Sequence, residues 1–392
     1  MKHNEEFAKQ LAEWRHQIHE HPEAAFEEVK TSAFVAEKLR EWGYDVHTGI
    51  GKTGIVANMT CGTSNKVIGL RADMDCICLT EEGEHPYTSK ISNRMHACGH
   101  DGHTISLLGA AKLIAQNRDF NGTVRLVFQP AEEPGKGAQA MIDDGIFEKF
   151  PMDEFYSLHN WPADSEGTFH TRVGGFMSSE DDFEIKIKGR GGHASSPHFT
   201  VDPMVIAAQI IMGLQTIPSR NENPVDPAVV SCTEIFSDGA HNVIPSTLTI
   251  LGDARSTTPE AQQIIERRMK EICENTCRAY NAECGFTYTH EFVPLVNDGN
   301  CVKKAAEAAA KVVGQDNVDV ASKPVMPSED FARFLEKVPG CYMLIGGRKP
   351  EQKEMYNCHN PRFDYNDNNL ETGAWYFYEV VRTCLPTDGK EN

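Results

Sequence analysis

The stretch Asp181-Asp182-Phe183-Glu184-Ile185-Lys186-Ile187-Lys188 decides how the chain is divided. Phe183, Ile185 and Ile187 alternate with Glu184, Lys186 and Lys188, the period-two pattern of a strand with one buried and one wet face. An apolar helix follows (Pro203–Ile217), then strands at Ala228–Phe236 and Ser246–Ala254, a helix from Pro259 to about Asn281, and a strand at Phe286–Phe292. This β-α-β-β-α-β order is the split βαβ, or ferredoxin-like, unit, so residues 181–293 are expected to form a domain of their own.

Outward from that insertion the pattern is different. Phe7, Leu11, Trp14 and Ile18 recur at helical spacing, Thr31–Trp42 reads as a second amphipathic helix, and strand-like runs appear at Gly54–Met59, Val67–Ala72, Thr123–Gln129 and Glu154–His159. Alternating helices and strands predict an α/β layered domain. After the insertion, helices at Val302–Val313 and Ser328–Glu336, a strand at Cys341–Ile345 and a helix near Asn369–Thr383 resume that pattern. Residues 1–180 and 294–392 are therefore expected to form one discontinuous domain, interrupted by 181–293. The polar candidates sit just after the strand runs, where sheet enzymes collect their active sites.

Composition narrows the function. The chain has 392 residues, 40% hydrophobic and 24% charged, which argues against disorder, collagen and coiled coil. Its formal charge of −19 has the wrong sign for a generic nucleic-acid or anionic-membrane binder. No apolar run approaches a membrane span, Met1–Lys9 has no apolar stretch like that of a signal peptide, and a cytoplasmic location is the default expectation. The 12 cysteines form no CxxC pair, so in a reducing compartment most should be buried thiols, and any with a function should bind metal or catalyse.

The densest polar constellation is His96-Ala97-Cys98-Gly99-His100-Asp101-Gly102-His103, entering an apolar helical stretch. Thiolate, imidazole and carboxylate at this density are ligands for zinc or another first-row metal, although a capped helix start with solvated histidines has the same letters. In Gln129-Pro130-Ala131-Glu132-Glu133, adjacent carboxylates at a strand end point different ways, so one can bind metal while the other serves as a base; the bland alternative is solvated charge. His159 ends a strand and His359 lies in Cys358-His359-Asn360-Pro361; each alone is more often structural. Together, Cys98, His100, a Glu, His159 and His359 are enough for two metals when one ligand or a water bridges. His19-Glu20-His21-Pro22-Glu23 lacks the i, i+4 pairing of a zinc-protease helix and reads as a helix end before Pro22. Gly189-Arg190-Gly191-Gly192-His193 lacks the ending of a phosphate loop, Cys76 and Cys78 would share one face of an extended segment, and Cys273 with Cys277 reads as core packing.

Eight motifs then occur in one order: Arg71-Ala72-Asp73-Met74-Asp75, Met95 through His103, Gln129 through Glu133, Leu158-His159-Asn160, Gly189 through Ala194, Asn242-Val243-Ile244-Pro245, Met326 through Phe331, and His359 through Asp364. The chain resembles the aminoacylase/carboxypeptidase metallopeptidase superfamily, in particular the amidohydrolase subfamily that includes hippurate hydrolase, N-acetyldiaminopimelate deacetylase and plant auxin-conjugate hydrolases. That resemblance implies a catalytic domain with an inserted ferredoxin-like lid. It implies two divalent ions per subunit (zinc, manganese, cobalt or nickel) on Cys98, His100, Glu133, His159 and His359, with Glu132 as general base. It also implies a homodimer formed through the lid, His193 holding the scissile carbonyl, and Asn242 and Arg255 binding the substrate's carboxylate. The reaction so implied is hydrolysis of an N-acyl amino acid by a metal-activated water. A dipeptidase or small carboxypeptidase on the same site is the rival enzyme; a metal-storage protein, which needs no base, is the rival of another class. Two departures stand out. Cys76-Ile77-Cys78 replaces the Ala-Leu-Pro of many relatives, and Arg71 stands where the wider superfamily has a metal-binding histidine, leaving Cys98 as the natural replacement ligand.

Overall fold

A computed structural model describes residues 3–352 and 354–387, so Met1 and Lys2 of the N-terminal stretch scanned above lie outside the described residues. The chain divides into two compact units: one runs up to Gly174 and includes Asn297–Lys323 and everything from Arg333 onward, and the other is Gly175–Val296 with Pro324–Ala332.

The first unit is built on an eight-stranded sheet in the order Asp45–Ile50, Gly54–Cys61, Gly122–Gln129, Val67–Asp73, Glu154–Ser165, Gly340–Arg348, Phe169–His170, Val318–Asp319. The four strands from Gly122–Gln129 to Gly340–Arg348 run parallel. From Val67–Asp73 the chain crosses through the helix His100–Asn117 to Gly122–Gln129 on one side, then returns to place Glu154–Ser165 on the other. The strand order thus reverses at Val67–Asp73, and in open α/β sheets a ligand binds outside the carboxyl ends of the strands at such a point. Asp73 pairs with Gln129 there, and Arg71 pairs with Ser157, two residues before His159.

The crossover helix His100–Asn117 is buried around most of its circumference, as its apolar sequence requires. It lies so close to the helix Asn368–Cys384 that a Cβ on Gly109 would stand 2.9 Å from that of Ala374. Leu107, Leu108 and Ile114 join Ile68, Leu70, Leu126, Phe377 and Val380 in one apolar core.

The second unit has a four-stranded antiparallel sheet in the order Ala228–Ser237, Thr247–Ser256, Glu180–Lys188, Glu283–Phe292, with the helices Pro203–Leu214 and Pro259–Ala279. Taken in chain order, the strands lie 4-1-3-2, the ferredoxin-like arrangement. Phe183, Ile185 and Ile187 are buried against Ile206, Ile210, Ile265, Met269, Cys273 and Cys277. Both helices start on a side-chain cap followed by proline: Asp202 accepts from the Met204 amide, and Thr258 from the Ala261 amide.

Several elements differ from the sequence expectation. The helix expected at Ser328–Glu336 is Phe331–Leu335, and residues 324–332 group with the second unit. The edge strand Asp45–Ile50 escaped notice because it buries neither face, and Phe169–His170 and Val318–Asp319 are two residues each, too short for periodicity. Cys76 is buried and Cys78 exposed: Cys76 and Ile77 are bridged to Ala24 and Met95, and the chain bends at Cys78. No helix among the described residues is long and apolar enough to cross a membrane.

Candidate metal centre

Within the first unit, three loops and one helix start converge. Cys98 Sγ lies 3.4 Å from His159 Nε2 at the end of the apolar part of its strand. His100 Nε2, on the first residue of the crossover helix, is 3.8 Å from Glu132 Oε2 and 3.8 Å from Glu133 Oε1. Glu133 Oε2 in turn lies 3.5 Å from His359 Nε2. The Cys98, Glu133 and His359 donors fall within 4.8 Å of one another, as do those of Cys98, His100 and His159. The five sequence-read ligands and Glu132 therefore form one continuous cluster.

Backbone conformation makes this possible. Gly99 has φ of +95°, and a Cβ there would stand 2.1 Å from Asn160 Oδ1, so only glycine lets Cys98 and His100 flank the turn. Ala131 and His359 also take positive φ, at 48° and 68°. Such residues persist where the surroundings over-determine them. Glu28 does so at Ala131, accepting its amide hydrogen at 2.9 Å.

A layer of residues to which the sequence motifs give no role holds the cluster. His100 Nδ1 meets the Asp75 backbone carbonyl at 3.0 Å and its carboxylate at 3.2 Å, while the other carboxylate oxygen of Asp75 accepts the Glu133 amide at 3.1 Å. One side chain thus sets both a histidine and a glutamate. His159 Nδ1 donates to the Asn160 carbonyl at 2.7 Å, leaving Nε2 as the lone-pair nitrogen facing Cys98. His103 bridges Asp73 Oδ1 and Asn160 Oδ1, each at 2.7 Å, and Arg71 donates to Asp73 Oδ2 at 2.8 Å and to Gln129 at 2.8 Å. The available signal was a pair of carboxylates, Asp73 and Asp75, closing a buried strand; their partners are distant in sequence.

The electrostatics suit a cation. Burial disfavours charge on His100, yet Asp73, Asp75 and Glu133 raise its imidazole well above the ordinary range. Burial, reinforced by His103, pushes His159 well below it, so that ring is neutral and free to coordinate. Burial and the neighbouring His100 also lower His359. The residues fit a divalent metal on two counts. His100 Nε2 is buried without a hydrogen-bond partner while its Nδ1 is oriented by a carboxylate, as in metal-ligating histidines, and the donor set mixes thiolate, imidazole and carboxylate.

The remaining sequence candidates belong to the second unit. His193 and Asn242 are exposed neighbours: His193 pairs with Val243 across a two-stranded ladder, and the Ala194 amide donates to the Asn242 carbonyl at 3.0 Å. Arg255 lies at the far end of the strand Thr247–Ser256, whose ten residues span about 30 Å. There its guanidinium meets Glu180 at 3.0 Å, Asp253 at 3.1 Å and Ser328 Oγ at 3.0 Å. The structure brings His193 and Asn242 together and leaves Arg255 apart from them.

Residues 69–383 match the peptidase family M20/M25/M40. Hippurate hydrolase of Campylobacter jejuni is 42% identical over 371 residues, covering 95% of this chain and 95% of that protein. N-acetylcysteine deacetylase of Bacillus subtilis is 36% identical over 387 residues, covering 97% of this chain and 98% of the relative. A Bacillus subtilis crystal structure described as a dinuclear metal binding peptidase from the same family superposes with a TM-score of 0.85 at 33% identity, over 98% of this chain and 100% of that one.

Proposed function

The chain belongs to the peptidase family M20/M25/M40, and on that premise we propose that it is a metal-dependent amidohydrolase cleaving the amide bond of N-acyl amino acids. The observation that carries this reading is His100 Nε2, buried, without a hydrogen-bond partner, and facing two adjacent glutamates. Cys98, His100, Glu133, His159 and His359 would hold two divalent ions, with zinc, manganese, cobalt or nickel as the candidates. When bound, the ions supply Lewis acidity to the scissile carbonyl and acidity to a water.

The chain's own groups do the rest. Glu132, buried beside His100, accepts the proton of the attacking water on its carboxylate and returns it to the departing nitrogen. Asp75 keeps His100 and Glu133 in place during the exchange, and Asn160 keeps the lone-pair nitrogen of His159 turned to Cys98. His193 donates to the carbonyl oxygen as negative charge grows there; its Nδ1 accepts the Ser195 amide at 3.1 Å, which leaves the Nε2 hydrogen to donate. Asn242 and Arg255 are the substrate-binding groups of the second unit; since the fold keeps them apart, one carboxylate meets one of them, and the guanidinium's planar fork suits Arg255 to that task. The proposal includes a cytoplasmic location, in keeping with 12 thiols and no need for a disulfide, and a homodimer formed through the second unit, whose Phe199, Met212, Ile235 and Phe236 are exposed.

The test is a substrate panel of N-benzoyl and N-acetyl amino acids set against free dipeptides, each before and after chelation. N-acyl amino acid hydrolysis that vanishes with chelator and returns with one of the four metals is the expected result. Equal or faster turnover of free dipeptides overturns the assignment in favour of a dipeptidase.

A further inference from the structure

A second cluster of metal-type donors lies outside the site just described. His19, the last residue of the helix Glu5–His19, is fully buried and points its Nε2 at Glu81 Oε1, 3.2 Å away. His85 Nε2 approaches the same oxygen at 2.6 Å from the following turn. The three donor atoms lie within 4.8 Å of one another. We propose that His19, Glu81 and His85 form a divalent-cation site of the zinc class, additional to the one built on Cys98, His100, Glu133, His159 and His359.

The surroundings are arranged as they are around a metal-ligating histidine. Asp101 accepts from His19 Nδ1 at 2.7 Å, which fixes the tautomer and leaves Nε2 for a ligand. The second oxygen of Glu81 accepts the Ser89 amide at 2.7 Å, so Oε1 alone faces the histidines. The His85 ring is stacked on Tyr87 at 4.4 Å between centroids, which sets its plane. Two imidazoles and a carboxylate are a known zinc set that keeps a further position open for water. The His85 side chain is 14% exposed, giving the site an edge on solvent, while those of Glu81 and His19 are 2% and 0% exposed.

Charge balance points the same way. Glu81 and Asp101 are buried carboxylates, and the permanently charged Arg15, 3.5 Å from Asp101, is shared with the closer Asp364 at 2.9 Å and Asp367 at 2.8 Å, so carboxylates outnumber fixed cations here. A metal at Nε2, in place of a proton on His19, adds positive charge to the cluster. The alternative is that the proton suffices and the cluster is only an ion-pair network.

Metal content decides between them. Wild type and His85→Leu are stripped with chelator, reloaded with zinc alone and counted by mass spectrometry and calorimetry, with circular dichroism to confirm folding. The expected result is one zinc fewer per chain in His85→Leu, with the other zinc equivalents and N-acyl amino acid hydrolysis retained. Equal zinc counts in the two proteins overturn the proposal. His85→Gln, which keeps a hydrogen bond to Glu81 but is a poor zinc donor, guards against a folding defect in the leucine variant and is expected to lose the same single equivalent. Anomalous diffraction at the zinc edge from wild-type crystals is the direct check: a peak bounded by the three side chains supports the site, and a peak confined to the Cys98 cluster overturns it. Failure of the proposed function would remove hydrolysis or the other zinc equivalents in wild type, a result distinguishable from this one.

Discussion

The candidate ligands His100, Glu133 and His159 of the first unit have dedicated holders, whereas His193 of the inserted unit does not. Asp75 orients His100, the Asn160 carbonyl orients His159, and Glu28 pins the loop before Glu132. His193, by contrast, sits on a two-residue strand, and its side chain hydrogen-bonds to Ser195, two positions along. The difference follows from what the groups must do. A metal ligand or base works only if it is placed before the substrate arrives, and such placement is worth the burial of many polar groups. A group that meets a substrate can be ordered by the substrate itself. Substitutions in the first region should therefore appear in kcat and metal content, and those at Asn242 and Arg255 chiefly in KM.

The largest effect is expected at Glu132. Glu132→Gln keeps size and hydrogen bonding but cannot take a proton, so kcat should fall by roughly 10²–10⁴-fold, the usual worth of a positioned general base. Metal content by mass spectrometry and KM should stay close to wild type. A variant with near-normal kcat would remove Glu132 from the role of base, and a variant that lost its metal would make it a ligand instead. Asp75→Asn should come next. Asparagine keeps the shape but weakens the grip on His100 Nδ1 and on the Glu133 amide. Metal affinity should drop about 10–100-fold, with kcat recovering when the metal concentration is raised. If Asp75→Asn titrated with metal like wild type, the holders of the catalytic unit would be packing features only, and the contrast with the inserted unit would lapse.

Much of this was readable in the chain because local rules and global fold agree. Phe183, Ile185 and Ile187 alternate because one face of their strand is core, and Asp202-Pro203 and Thr258-Pro259 announce helices by capping chemistry. The candidate ligands stood out because most are clustered in short motifs at strand and helix ends. Their holders were not, because they meet through the fold: Asp75 lies 25 residues from His100, and His103 lies 57 from Asn160. The pair His19 and Glu81 is separated by 62 residues, so the His19-Glu20-His21 stretch read only as the helix end that it is; His21 is half-buried and bonds the Gln17 carbonyl. Arg255 shows the converse. Its residue type fits a carboxylate, but the sequence did not reveal that Glu180, Asp253 and Ser328 already occupy its fork.

That occupancy sets the size of the smallest effect. A substrate carboxylate reaching Arg255 competes with two protein carboxylates for a guanidinium that is 24% exposed, in a protein of net charge −19. The field of the whole chain opposes an anionic substrate, so a local cation is worth having, yet a shared and partly solvated one contributes only ~0.5–1 kcal/mol. Arg255→Ala should therefore raise KM for N-acyl amino acids about two- to fivefold and leave kcat unchanged, since the guanidinium touches no group that changes charge in the reaction. The N-acyl amino acid amide, which lacks the carboxylate, supplies the control. If KM rises for the acid alone, Arg255 meets substrate. If KM rises equally for acid and amide, the substitution acts through the packing of the second unit, where Glu180 and Asp253 would be left facing each other without a cation.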